Sequence, residues 1–176
     1  MSAATSGTNG KEAKNMARYF IFQVNPGSEY RLSDALKEMQ LRKEKTLWLS
    51  PKPDTNTELK CKHVVCLWES GKGLVARGEI TQAADKNTPR DMPVWQRVFC
   101  IDETTRYGGP QFHKAMPRAE VEIEKFAERE RVNREQTNDD PVLRENVFLK
   151  KHGFYNRTIF DLTNQQAQAL DKLAGS

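Results

Sequence analysis

The chain has 176 residues, a formal net charge of +4, and 37% hydrophobic residues, a size and apolar content that suit one core rather than several. No run of about 18 apolar residues occurs, which excludes a helical membrane span, and no basic stretch followed by an apolar one opens the chain, so no secretory signal is expected. Three cysteines, Cys61, Cys66 and Cys100, are too few and too scattered for a disulfide framework or a zinc site.

Residues 1–15, "MSAATSGTNGKEAKN", are small, polar and aperiodic, as in a disordered leader preceding one domain over 16–176. "ARYFIFQVN" predicts a buried strand with Tyr19, Ile21 and Gln23 on one face and Phe20, Phe22 and Val24 on the other. Pro26-Gly27 ends it, and Ser33 is read as the N-cap of a short helix that buries Ala35, Leu36 and Met39. "KTLWLSPKP" sets Trp48 and Ser50 where the chain leaves regular structure, because Pro51 and Pro53 impose extended backbone.

"HVVCLWES" and "GLVARGEI" predict a hairpin whose turn uses Gly71 and Gly73, and "PVWQRVFCID" reads as a further strand with Trp95, Arg97, Phe99 and Ile101 on one side. From about 117 to 151 the chain becomes strongly charged. "AEVEIEKFAERERVNREQ" is read as an exposed helix and "DPVLRENVFLKK" as a second one, capped by Asp140 with Pro141 in its first position. "RTIFDL" predicts a last strand, and Thr163 with Gln166 a capping box for a final helix burying Ala167, Leu170 and Leu173. Five to six strands mixed with short helices predict an α+β fold, a small β-barrel flanked by helices.

Chemistry for a hydrolase is missing. His63, His113 and His152 lack a metal-ligand spacing, no G-x-S-x-G elbow occurs, and "ESGKG" lacks both the upstream glycine and the following Ser/Thr of a phosphate-binding loop. No cofactor or metal is expected. Cys66 and Cys100 lie in apolar runs and read as core thiols in a reducing, intracellular compartment, cytoplasmic or nuclear; the sequon at Asn156 is then idle.

Trp48, Trp68 and Trp95 each stand near the end of an apolar segment. Such rings either fill a small core or wall a pocket for a planar heterocycle, where stacking contributes about 1–3 kcal/mol per base. Gln23, Asn25 and Ser50 are placed to read a base edge in that case. Lys60, Lys62, Lys72, Arg77 and Arg97 are the candidate phosphate contacts.

In order, "RYFIFQVNP", the Trp-x-Ser at 48–50, "VVCLWESGKGLVARGEI", "PVWQRVFCI" and "RTIFDLTNQQAQAL" resemble the EVE domain family over roughly residues 17–173. That family belongs to the PUA-like superfamily and is similar to the YTH readers of methylated adenosine. The resemblance implies a compact barrel that accepts a flipped, modified base of DNA or RNA, such as 5-methylcytosine or another methylated or hydroxymethylated base. It implies Trp48 and Trp95 as opposed cage rings, Ser50 as a base contact, and Gln23 and Asn25 as edge readers, without catalysis. Trp68 alternates with Val64 and Cys66 and is assigned to the core. Many family members carry lysine-serine-glutamate-proline where this chain has Gln23-Val24-Asn25-Pro26, which exchanges charged groups for amides at the base edge. Two other readings are an RNA-processing enzyme of ASCH type using Tyr107, Lys114 and Arg118, and a protein-interaction module that docks a partner on the 117–151 helices.

Overall fold

The computed structural model describes residues 18–25, 30–49, 59–85, 87–99, 118–126, 132–150 and 159–175. The predicted leader lies outside them. Among the described residues six strands are present: β1 (Tyr19–Val24), β2 (Thr46–Leu49), β3 (Val64–Glu69), β4 (Gly73–Gln82), β5 (Ala119–Phe126) and β6 (Ile159–Leu162). Four helices accompany them: α1 (Leu32–Leu41), α2 (Val94–Arg97), α3 (Arg134–Asp139) and α4 (Asn164–Leu173). The α+β class is as expected. The strands form one sheet in the order β2-β5-β4-β3-β1-β6, with β1 and β3 parallel and the other pairs antiparallel. It is open rather than closed into a barrel.

The alternation expected for β1 decides where the two cores lie. Phe20, Phe22 and Val24 enter one core with Val65 and Leu67 of β3 and with Leu36 and Met39 of α1. Ile21 enters the other with Cys66, Trp68, Phe148, Phe160 and Leu170 of α4. All six β3 residues are buried, as in a strand covered on both faces. Each fully buried Leu or Phe contributes about 1.5–3 kcal/mol relative to exposure, so both faces are needed to hold the sheet.

Each edge strand is closed by a buried amide. The Gln96 side chain accepts from Trp48 N (3.3 Å) and donates to Trp48 O (2.8 Å), as a neighbouring strand would. On the other edge, Asn146 Nδ2 donates to Asp161 O of β6 at 2.9 Å. Unpaired edge groups are thereby withheld from other chains.

Several expectations are corrected. "PVWQRVFCID" does not supply a strand: α2 starts after Pro93, and Gln96 and Arg97 both donate their backbone N–H to Pro93 O. The 117–151 segment is not a helical excursion. Residues 119–126 are β5, with Ala119, Val121 and Ile123 buried and the intervening glutamates turned outward, inserted between β2 and β4. Among the described residues of the segment, α3 and a 3-10 turn at Leu143–Glu145 follow, and Leu143, Phe148 and Leu149 are core residues. Asp140 does cap that turn, accepting from Val142 N and Leu143 N.

Ser33 is not the cap of α1 either. Arg31 holds that position, and Ser33 N and Oγ both donate to the buried Glu69 carboxylate of β3, at 2.7 and 2.6 Å. A carboxylate from another element thus satisfies the first turn of α1. The capping box at Thr163 and Gln166 is formed as predicted.

Candidate nucleic-acid interface

α1 and α2 lie side by side, joined where Arg31 N donates to Phe99 O at 2.9 Å and the Arg31 guanidinium donates to Val98 O at 3.1 Å. Between them is an open depression of ≈ 660 Å³ lined by Glu38, Arg42, Val94, Trp95, Val98 and Phe99. Val94 and Val98 are 76% and 62% exposed and form an apolar rim. Trp95 is half-buried, packed against the core from one side. The Arg42 guanidinium lies 5.6 Å from the Trp95 ring centroid, and its Nε donates to Glu38 Oε1 at 3.0 Å.

The same arrangement recurs twice nearby. Arg31 lies 5.6 Å over the half-buried Phe99 ring, and Arg90 lies 5.5 Å over Trp48. A guanidinium on a ring face is a planar cation occupying a surface that equally accepts a nucleobase. Trp48 is tied to α2 through Gln96, which is fully buried, so the two predicted cage tryptophans belong to adjoining elements. Their rings are turned differently, however. Leu47 and Leu49 enter the core beneath α1, so alternation turns Trp48 to the opposite face, where its cross-strand partner is Glu120. Trp95 opens instead toward α1.

Gln23 and Asn25 stand apart from this depression. Gln23 is in β1 and Asn25 follows it; three strands lie between β1 and β2 in the sheet, and Gln23 shares the face of Ile21 beside Trp68. Asn25 is exposed, and its carbonyl accepts from Tyr30 N at 3.2 Å. Ser50 lies outside the described residues. Trp68 is a core ring as assigned, 2% exposed and edge-on to Phe148 at 5.4 Å.

The candidate phosphate contacts do not form one track. Arg77 is bound to Asp171 and lies 3.5 Å from Glu124, bridging the sheet to α4. Burial opposes its charge, but Asp171 and then Glu124 outweigh that and raise its pKa further above the ordinary arginine value. Lys72 donates to Ser33 Oγ at 2.9 Å and lies 3.5 Å from Glu69. Arg97 donates to Met92 O. Lys60 and Lys62 are exposed in the turn before β3, whereas Lys72 follows it, so a six-residue strand of about 20 Å separates them.

Of the residues named for the RNA-processing reading, Arg118 is 1% exposed and donates to Arg90 O, and Tyr107 and Lys114 lie outside the described residues. His63 Nδ1 accepts from Lys60 N at 3.1 Å, and burial, then Arg18 and Lys60, lower its pKa. Among the described residues no group of three or more metal-ligating side chains occurs, and no helix is long and apolar enough to cross a membrane.

Sequence reasoning missed Glu38, Arg31, Arg42, Arg90 and Gln96. The i,i+4 spacing of Glu38 and Arg42 was a readable signal for their ion pair. The role of Gln96 had none, because its partner is 48 residues away.

No protein-family model and no curated protein sequence matches the chain. Solved structures do resemble it. A hypothetical protein from Leishmania major aligns with a TM-score of 0.55 at 11% identity, covering 91% of this chain and 96% of that one. A protein from Rhodopseudomonas palustris gives 0.57 at 13% identity, covering 90% and 94%. Human THYN1, in complex with DNA containing 5-methylcytosine, gives 0.54 at 10% identity, covering 91% and 99%. At these identities the likeness is one of fold alone.

Proposed function

We propose that this chain is a non-enzymatic reader of modified nucleobases in DNA or RNA, of EVE type, and that the extruded base lies on Trp95 in the depression between α1 and α2. The observation that carries the reading is the likeness to THYN1 over 91% of the chain, since that protein was captured with 5-methylcytosine DNA. Local chemistry supports it. Stacking on one indole contributes about 1–3 kcal/mol, which offsets much of the few kcal/mol needed to remove a base from a duplex. A methyl group buried against the Val94 and Val98 rim adds about 0.8 kcal/mol, or about fourfold in affinity.

Trp48 and its Arg90 partner, turned to the opposite face, take no part in this stacking. Trp95 replaces the two-ring cage as the principal stacking group. The test is titration of oligonucleotides identical except for 5-methylcytosine or cytosine at one position. A preference of several-fold in the wild type, lost in Trp95→Ala, is expected. Equal wild-type affinities for the pair would end the reading.

A further inference from the structure

We infer that Glu38 selects the class of base held in the α1–α2 depression, favouring bases with an exocyclic amine beside a ring nitrogen, such as cytosine, over their oxo counterparts. The inference rests on the reading of that depression as the base site. Glu38 and Arg42 line the depression as an ion pair; the Arg42 guanidinium lies over the Trp95 ring, so a base that stacks there displaces it to the base edge, beside the Glu38 carboxylate. Their mutual contact uses Oε1 of Glu38 and Nε of Arg42.

A base stacked on Trp95 meets that pair with its edge. Cytosine offers its N4 amine to the carboxylate and N3 to the guanidinium, and adenine offers N6 and N1 in the same order. Thymine and uracil place an oxygen where the amine stands, against the Glu38 carboxylate. Turning the ring over, so that N3–H meets Glu38, would carry a 5-methyl group away from Val94 and Val98. The apolar rim and the ion pair therefore fix one orientation together, and the amine decides whether that orientation is tolerated.

The experiment uses four single-stranded oligonucleotides that differ at one position: cytosine, 5-methylcytosine, uracil or thymine. They vary the amine and the methyl independently. The wild type is expected to bind each amine-bearing base about tenfold more tightly than its oxo counterpart, with or without the methyl. In Glu38→Gln the amide can turn either its oxygen or its nitrogen to the base, so that factor shrinks to about twofold while the methyl factor persists. Glu38 is partly exposed on α1, and a thermal melt checks that the variant is folded.

Equal wild-type affinity across cytosine and uracil, and across 5-methylcytosine and thymine, overturns the role of Glu38 but leaves the methyl reading standing. An amine factor without a methyl factor supports Glu38 and overturns the reader of modified bases. An amine factor that survives unchanged in Glu38→Gln assigns the discrimination elsewhere and overturns the inference. Absence of binding to all four overturns both.

Discussion

A single side chain, Gln96, holds Trp48 to α2, since both polar groups of the Trp48 backbone end on its amide. Replacing it by leucine keeps the volume but leaves a buried donor and acceptor without partners, at about 1–3 kcal/mol each. Gln96→Leu is therefore expected to lower the urea midpoint clearly, and an unchanged midpoint would contradict the clamp. Cys66 makes a second point at this scale. Burial, and then Asp171, push its thiol up to about 12, against a smaller opposing pull from Arg77. The folded protein holds that proton more tightly than the unfolded chain, so its contribution is complete below about pH 9 and is lost as pH rises toward 12. Peptide mapping after thiol alkylation of the native protein at pH 8 should find Cys61, which is exposed, modified and Cys66 protected. The partial exposure of Trp48 and Trp95 was legible in the sequence, because aromatic rings at segment ends invite a pocket reading. Their arginine partners were not: Arg90 reaches Trp48 from 42 positions away, and no local pattern records such a pairing.

Period decided what could be read among the elements. β1 was legible because apolar residues crowd both of its faces, and it indeed separates two cores. β5 carries a strict alternation of apolar residues and glutamates from Ala119 to Glu124, which fits a strand with one solvated face. Its charge drew the helix reading, although charge on every second position is what that face requires. α2 was hidden for the opposite reason: Trp95, Arg97 and Phe99 mimic a strand period, and only docking of Gln96 on β2 favours the helix. The β3–β4 hairpin turn was placed correctly and also has a packing role. Gly73 has φ +109°, and a Cβ there would stand 2.0 Å from Val132 O, the acceptor of Leu74 N. Gly73→Ala combines left-handed strain with that clash and should cost more than about 2 kcal/mol in a denaturant melt. Near-wild-type stability would mean that the segment at Val132 is not seated against the turn.

Over the whole molecule, the sheet separates a structural face from the face on which α1 and α2 build the depression. Among the described residues, Arg18, Arg42, Lys72 and Arg77 are each matched to a carboxylate. On the proposed reading, stacking and burial dominate binding over counterion release. For a single-stranded ligand, the log affinity against log salt is expected to have a slope of about −2 or shallower, whereas a slope near −6 would contradict a stacking-dominated site.

The claim most exposed to contradiction is that one indole, Trp95, carries the base. The side-chain Nε1–H resonances of Trp48, Trp68 and Trp95 can be assigned by substitution and followed while an oligonucleotide with one 5-methylcytosine is added. The Trp95 signal is predicted to move farthest and to saturate with binding, while that of Trp68, enclosed against Phe148, stays in place. A bound complex in which the Trp95 signal remains where it began would contradict the account.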